Sequence, residues 1–460
     1  MKFRTDDTIA AIATPAGSGG IGVVRLSGSG ALAIVEPLFR PAGGGSLEAR
    51  GSHVMVYGWL FQRGEPIDEA MAVWMKAPRS YTREDVVEVH CHGGALVLRN
   101  VLEIFCGAGA RLAEPGEFTM RAFLNGRIDL TRAEAVGEMV AARSQAGLRV
   151  AAHQLRGRLY EAVHGAGEAL RHVAALLAAG IDFPEEESVA VQREEIRAGL
   201  QAVSERVGAL LRTAEQGRIL REGLAVAIVG RSNVGKSSLL NALLKENRAI
   251  VTEIPGTTRD TVEESAEVGG VMLNLIDTAG IRDTADRVEA EGISRSLRAL
   301  EQADLVLLVL DGTEPLAGDD QTLLHRSARE TTLLVVNKRD LMERPSPAWQ
   351  EDLRAFPWLA VSALTGEGMT ALGEWIGHWA LRGENPRWEA GMITNLRQKK
   401  AAELALEALH DALAGLTGGV GEELLAVDVQ RALDALGAIV GETTADDLLE
   451  RIFSEFCIGK

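Results

Sequence analysis

Short apolar runs bounded by turn residues alternate with long stretches of helical periodicity, and they divide the chain into segments of different character. Up to about residue 120, strand-like runs such as Ile21-Gly22-Val23-Val24-Arg25-Leu26 and Val86-Val87-Glu88-Val89-His90 are separated by turn clusters, among them Pro41-Ala42-Gly43-Gly44-Gly45-Ser46. The pattern predicts a compact α/β module over 1–120. From about 128 to 220 the chain becomes rich in Ala, Leu, Glu and Arg with a helical period, broken at Gly180-Ile181-Asp182-Phe183-Pro184. Leu224–Val229 is an apolar run, Val271–Ile276 is a plausible strand, Thr332–Val336 has a buried-strand pattern, and Ser238–Leu244 reads as a helix. After Gly383-Glu384-Asn385-Pro386, helical periodicity resumes at Thr394 and holds to the end. The simplest architecture is a helical domain in two parts, 121–220 and 382–460, with an α/β domain over 221–381 inserted into it.

The inserted segment carries its chemistry at the ends of its strands. Gly230-Arg231-Ser232-Asn233-Val234-Gly235-Lys236-Ser237 fits G-x-x-x-x-G-K-[ST] between a strand and a helix that opens with Ser238. Backbone N–H groups of such a loop cradle phosphate at a helix N-terminus. Lys236 would reach the β- and γ-phosphates, and Ser237 would coordinate Mg²⁺. Asp277-Thr278-Ala279-Gly280 follows the second run and suits a carboxylate on the Mg²⁺ shell and a glycine N–H that senses the γ-phosphate. Asn337-Lys338-Arg339-Asp340 follows the third run. The Asp340 carboxylate matches the N1–H and exocyclic amine of guanine, a donor pair that adenine lacks. Ser362-Ala363-Leu364 would support the base from the other side. All four motifs in this order imply a GTPase domain.

One position is unusual for such a domain. Better-known GTPases place a water-orienting Gln directly after Asp-x-x-Gly, whereas this chain has Ile281. An aliphatic group cannot orient water, so the role falls elsewhere; Asp283, Asp286, Glu289 and Glu291 are the nearby acidic candidates.

Composition narrows the setting. At 460 residues the prior is roughly three domains. No run of eighteen apolar residues predicts a membrane span, and the N-terminus lacks a signal-peptide pattern. Three cysteines suggest no disulfide framework, so the cytoplasm is the expected compartment. A net charge of −17 disfavours a broadly basic nucleic-acid surface, leaving a local patch or a partner to meet any such substrate. The densest basic cluster, Arg397-Gln398-Lys399-Lys400, reads as a solvated helix face. His90-Cys91-His92 lacks a second ligand pair at metal-site spacing and reads as strand packing. The terminal Phe456-Cys457-Ile458-Gly459-Lys460 fits a prenylation box poorly. Cys457 close to Lys460 offers either a nucleophile or part of a packed tail.

The whole chain resembles the MnmE (TrmE) family of tRNA modification GTPases. The resemblance rests on Thr8–Pro15 with Gly19–Gly28, on Pro115–Gly126, on Ile181–Glu186, on Ile254-Pro255-Gly256-Thr257-Thr258-Arg259-Asp260, and on the Cys-Ile-Gly-Lys tail. It implies an N-terminal α/β folate-binding domain, a helical domain and an inserted Ras-like P-loop GTPase domain. It also implies a homodimer built through the N-terminal domain. The family's 5-formyl-tetrahydrofolate contacts match Arg25, Glu88, Arg127 and Lys460. Its water-activating residue matches Glu289. Its nucleotide-binding loop matches Thr252-Glu253-Ile254-Pro255-Gly256-Thr257-Thr258, in which Thr258 is the second Mg²⁺ position. In this family a K⁺ ion, matched here to Asn233, Thr252, Ile254 and Thr257, takes the place of an arginine finger as two GTPase domains meet. Cys457 is a possible catalytic group, although the Lys460 contact gives the tail another role. The family acts with the FAD-dependent MnmG (GidA) in a heterotetramer or larger complex. Together they add an aminomethyl-type group to C5 of the wobble uridine of certain tRNAs. A ribosome-assembly or translation-associated GTPase would share 221–381 but leave the N-terminal module and the tail unexplained. A stand-alone folate-dependent one-carbon enzyme would leave the GTPase motifs unexplained.

Overall fold

The computed structural model describes residues 6–182, 189–246, 264–276, 298–342, 355–383 and 391–460. Two compact units emerge, one of 1–137, 155–203 and 407–460, the other of 138–154 and 204–406.

The first unit is built on a seven-stranded sheet in the order β3-β4-β5-β6-β2-β1-β7. Its strands are β1 Ile9–Ile12, β2 Gly19–Ser27, β3 Phe39–Pro41, β4 Met55–Gln62, β5 Glu65–Met75, β6 Val86–Gly93 and β7 Arg111–Leu112. All neighbours are antiparallel except β1 and β7. Alternation sets the faces: Val56 and Leu60 of β4 are buried, whereas Met55, Tyr57 and Trp59 are exposed. The helix Ala95–Gly107 covers the inner face with Leu98, Val101 and Phe105.

The sheet joins the next helix, Glu117–Leu124, through buried charge. Arg121 is fully buried and its guanidinium reaches Asp7 at 2.6 Å, Glu117 at 3.0 Å and Glu84 at 3.3 Å. Arg111 adds Nη2 to Glu117 at 2.6 Å and Nε to Asp7 at 2.7 Å. Burial pushes the Asp7 and Glu117 carboxyls up, but the arginine hydrogen bonds outweigh it and hold both below the usual carboxylate range.

Helices complete this unit. Arg158–Asp182 packs along Glu422–Val440, joined at its edge by Arg171 and Glu442. The first of these ends at Asp182, inside the break expected over Gly180–Pro184, and the next helix begins at Val189. A Cβ on Gly180 would meet the Glu422 carboxylate at 2.1 Å, the mobile end of a side chain that can move aside. The C-terminal pattern needs correction: helices occupy Leu396–Thr417, Glu422–Val440 and Asp446–Ser454, but the last six residues are not helical.

The second unit holds a six-stranded sheet in the order β13-β12-β11-β8-β10-β9. The strands are β8 Leu224–Val229, β9 Glu264–Val268, β10 Val271–Ile276, β11 Leu305–Asp311, β12 Thr332–Asn337 and β13 Trp358–Ala360. Every pairing is parallel except β9 with β10. Near-continuous burial along β8, β11 and β12 follows from helices covering both faces. β8 has β10 on one side and β11 on the other, so the strand order reverses there. A crevice at the carboxyl end of such a strand is where α/β sheets bind ligands.

The helix Ala214–Glu222 leads directly into β8, and the sheet is tied to it by polar contacts. Arg218 Nη2 bonds Glu215 at 2.7 Å and Asp304 at 2.8 Å, while Asp304 also accepts from the Ala225 N–H at 2.9 Å. Gly217 lies so close to the segment after residue 390 that a Cβ would sit 1.9 Å from the Ile393 carbonyl oxygen. Asn395 then starts the helix Leu396–Thr417. Its Oδ1 accepts from the Gln398 N–H at 2.9 Å, and Gln398 Oε1 accepts from the Thr394 N–H at 3.0 Å.

Candidate functional site

At the carboxyl end of β8 the chain turns through residues 230–235 and enters the helix Lys236–Glu246. The turn needs unusual backbone: Gly230, Asn233 and Gly235 all have positive φ, at 149°, 65° and 98°. Side chains would also collide there. A Cβ on Gly230 would meet the Val309 carbonyl oxygen at 2.4 Å, and one on Gly235 would meet Asn337 Nδ2 at 2.1 Å. Lys236 folds back over the loop and donates from Nζ to the carbonyl oxygens of Gly230 at 2.8 Å and Arg231 at 2.7 Å. Burial lowers its pKa from the ordinary lysine value. Val234 is buried beneath the loop, Ser237 is half-buried at the helix start, and Ser238 is exposed.

Asn337, at the end of β12, joins this loop to the next two strand ends. Its Nδ2 donates to the Val234 carbonyl at 2.9 Å, and its Oδ1 accepts from the Ala363 N–H at 3.0 Å. Lys338 adopts φ 64° and its Nζ bonds Asp311 Oδ2 at 2.5 Å. Burial pushes the Asp311 carboxyl up, but bonds from Lys338 and Thr313 outweigh it and hold it low. Asp340 is exposed on the short turn after β12, free to present its carboxylate. Ser362 is fully buried; its Oγ accepts from the Thr365 N–H at 3.1 Å and fixes the turn that leaves Leu364 exposed.

Thus three of the four motif segments converge at the ends of β8, β12 and β13. The fourth, Asp277, Thr278, Ala279 and Gly280, lies outside the described residues, as do Ile281 and Glu289. So do Thr252, Glu253, Ile254, Pro255, Gly256, Thr257 and Thr258. Asp311, which anchors Lys338, was missed by motif reading; the available signal was a lone carboxylate closing the apolar run Leu305–Leu310.

A second cluster forms in the first unit. Arg25 and Glu88 face each other across β2 and β6, with Arg25 Nε and Nη2 both 2.7 Å from Glu88 Oε1. The Arg25 guanidinium lies 5.8 Å from the Tyr81 ring centre and 5.7 Å from that of Phe118. Arg127 stacks over Tyr81 at 4.6 Å. The C-terminal tail docks here through its backbone: Arg25 Nη1 donates to the Gly459 carbonyl at 3.4 Å and the Phe118 N–H to the Lys460 carbonyl at 3.2 Å. Cys457 accepts from the Gly116 N–H at 3.5 Å through its carbonyl, and its free thiol is exposed. Arg25, Glu88, Arg127 and Lys460 therefore border one region. Tyr81 and Phe118 belong to it as well, and no sequence periodicity marked them.

The motif-like His90-Cys91-His92 lies on β6. Cys91 is buried with Sγ 3.6 Å from the Gly22 carbonyl, and burial pushes its thiol up to about 11. The exposed His92 pairs through Nδ1 with Asp68 at 2.6 Å.

Two family models match the chain: the TrmE N-terminus described as a GTP-binding protein, over residues 8–127, and the MnmE helical domain, over 130–457. The chain belongs to the MnmE family of tRNA modification GTPases. Similar proteins include the tRNA modification GTPase MnmE of Moorella thermoacetica, 49% identical over 99% of this chain and 100% of that one. The MnmE of Symbiobacterium thermophilum is also 49% identical, again over 99% and 100% of the two chains. Among solved structures, the G domain of the T. maritima FeoB iron transporter aligns at 27% identity over 34% of this chain and 98% of its own, with a TM-score of 0.25. An MnmE family member is a GTPase that acts in tRNA modification. Its α/β N-terminal, helical and inserted GTPase parts are the fold class expected from the sequence. Among the described residues, no helix is long and apolar enough to cross a membrane.

Proposed function

We propose that this chain couples K⁺-stimulated GTP hydrolysis to folate-dependent modification of the wobble uridine of tRNA. The observation that supports it most is Asn337, which locks the phosphate loop to the base-binding turns through two hydrogen bonds. Guanine recognition by Asp340 and phosphate binding at Lys236 are thereby held in fixed relation.

In this reading the backbone from Asn233 to Ser238 cradles the phosphates. Lys236 exchanges its two carbonyl contacts for β- and γ-phosphate oxygens, which restores the charge that burial disfavours. Ser237 and Thr258 hold Mg²⁺, which neutralises phosphate charge. Asn233, Thr252, Ile254 and Thr257 hold K⁺, which places positive charge where an arginine finger acts in other GTPases. The left-handed, exposed Asn233 suits that role. Glu289 takes the proton of the attacking water as its oxygen bonds to the γ-phosphorus and the bond to the β-phosphate oxygen breaks. Asp277, Thr278, Ala279 and Gly280 contact the Mg²⁺ shell and γ-phosphate, and Thr252–Thr258 enclose the nucleotide.

The formyl-tetrahydrofolate contacts are Arg25, Glu88, Arg127 and Lys460, supported by their convergence around Tyr81 and the docked tail. The exposed Cys457 thiol is accessible for chemistry, whereas its backbone carbonyl already fastens the tail. The chain works as a homodimer with the FAD-dependent MnmG, which supplies tRNA-binding surface that a chain of charge −17 lacks.

Glu289→Ala is the direct test. GTP binding should survive while turnover falls on the order of 10²–10⁴-fold. Unchanged turnover would remove Glu289 from the mechanism.

A further inference from the structure

Beside the Arg25–Glu88 cluster lies an open cavity of about 450 Å³, lined by His53, Met75, Pro78, Arg79, Ser80, Tyr81, Arg83 and Arg127. Three arginines on one cavity are notable in a chain of net charge −17. Among the described residues, none of Arg79, Arg83 and Arg127 has a carboxylate within ion-pair distance. By contrast, the nearby Arg25, Arg111 and Arg121 are all paired with acids.

The cavity wall is held in an unusual backbone state. His53 and Arg83 have positive φ, at 66° and 61°, as Asn233 and Lys338 do around the nucleotide loop. Such residues persist where surrounding structure fixes them, and they cluster at ligand sites. Here the fixing bonds run from Arg83 Nη1 to the Asn125 carbonyl at 2.9 Å and from Asn125 Nδ2 to the Thr82 carbonyl at 2.7 Å. They clamp the Arg79–Glu84 turn to the turn that carries Arg127. The His53 N–H donates to the Trp74 carbonyl at 2.7 Å.

Tyr81 is the shared wall. Arg25 approaches its ring from the Glu88 side, while Arg127 stacks on it and lines the cavity. A ligand held by Glu88 and Arg25 therefore has its next segment beside an aromatic ring and the segment beyond it among unpaired arginines. A folate has that order of chemistry: a pterin with an amide N–H and amino group suited to a carboxylate, an aromatic linker, then glutamyl carboxylates.

We propose that the cavity of His53, Arg79, Arg83 and Arg127 binds the oligo-γ-glutamyl tail of the folate, making the chain selective for polyglutamylated one-carbon carriers. The inference rests on the folate reading above and adds the tail as a separate specificity determinant. Each carboxylate added beyond the first glutamate finds a guanidinium rather than bulk water, and exposed pairs of this kind contribute modestly but in sum.

Calorimetry on the full chain with 5-formyl-tetrahydrofolate carrying one or three glutamates tests it. The triglutamate should bind about tenfold more tightly at low salt, and the preference should shrink as salt rises. Arg79→Gln/Arg83→Gln should bring the mono-to-triglutamate affinity ratio close to one; because it is a ratio, a general loss of fold cancels. Should the double variant lose all binding, the single Arg79→Gln, at an exposed position, should still halve the preference or more. Equal affinities for the two ligands in the unaltered chain would overturn the proposal and leave the folate reading intact. No binding of either would overturn the folate reading itself. A preference untouched by the double variant, with binding of a tRNA anticodon hairpin lost instead, would assign these arginines to RNA phosphate and also overturn it.

Discussion

In the proposed nucleotide site, Asp340 and Asn337 divide the work. Asn337 is buried and spends both ends of its amide on the protein, so it positions the loops. Asp340 is exposed and unspent, as a base-reading group must be before ligand arrives. Asp340→Asn should therefore lower GTP affinity on the order of 10²-fold while raising affinity for xanthosine triphosphate, because the amide presents a donor where xanthine has a carbonyl. Nucleotide titration of both ligands checks this, and a parallel loss of both would mean the residue only supports structure. Motif spacing singled out both residues, Asn337 as the residue closing an apolar strand and Asp340 on the turn just beyond it. Asp311 and Tyr81 were not legible in the same way. One acts through a lysine 27 residues later, and the other gains its meaning only when Arg25 and Arg127 fold onto it.

At the level of elements, the N-terminal sheet and the helix Glu117–Leu124 share one buried ionic cluster. Removing Arg121 leaves Asp7, Glu84 and Glu117 without their common partner, so Arg121→Met should cost roughly 3–5 kcal/mol at neutral pH. The sign with pH follows from the depressed carboxyls. Asp7 and Glu117 titrate below their ordinary values of 3.8 and 4.5, so their contribution is present above those values and is lost as pH falls through the lower folded ones. Thermal unfolding should show the gap between the variant and the parent chain widest at neutral pH and closing below about pH 4. A constant gap would contradict the assignment. Packing of the helix Ala214–Glu222 makes a second element-level prediction. Gly217→Val would drive a side chain into the Ile393 carbonyl, costing on the order of 1–3 kcal/mol by thermal denaturation, whereas an exposed glycine such as Gly318 should tolerate the same change. The strand run Leu224–Val229 was readable to the residue because burial on both faces leaves no polar interruption, and Val271–Ile276 was readable despite Asn274 because its other positions are apolar. The long hairpin of β4 and β5 was harder, because Glu65, Asp68 and Glu69 break its apolar pattern and pairing supplies what local sequence does not.

For the whole molecule, the missing Gln after Asp-x-x-Gly is the feature that organises the functional reading. Ile281 cannot orient water, and the proposed function gives that role to Glu289 and the missing positive charge to a bound cation. The same chain carries a second cluster at Arg25, Glu88 and the docked tail, which the proposed function assigns to the folate chemistry that GTP turnover would serve. A change of hydrophobic period sets 221–381 apart from the helical patterns on either side in the sequence, whereas pairing of Arg158–Asp182 with Glu422–Val440 depends on contacts far apart in sequence. The claim that joins these scales is that a monovalent cation replaces the arginine of other GTPases. Steady-state GTP hydrolysis in K⁺ against Na⁺ at equal ionic strength measures it most directly: the account predicts hydrolysis at least about tenfold faster in K⁺, the order expected when one transition-state charge is supplied or withheld, and equal rates in the two salts would contradict it.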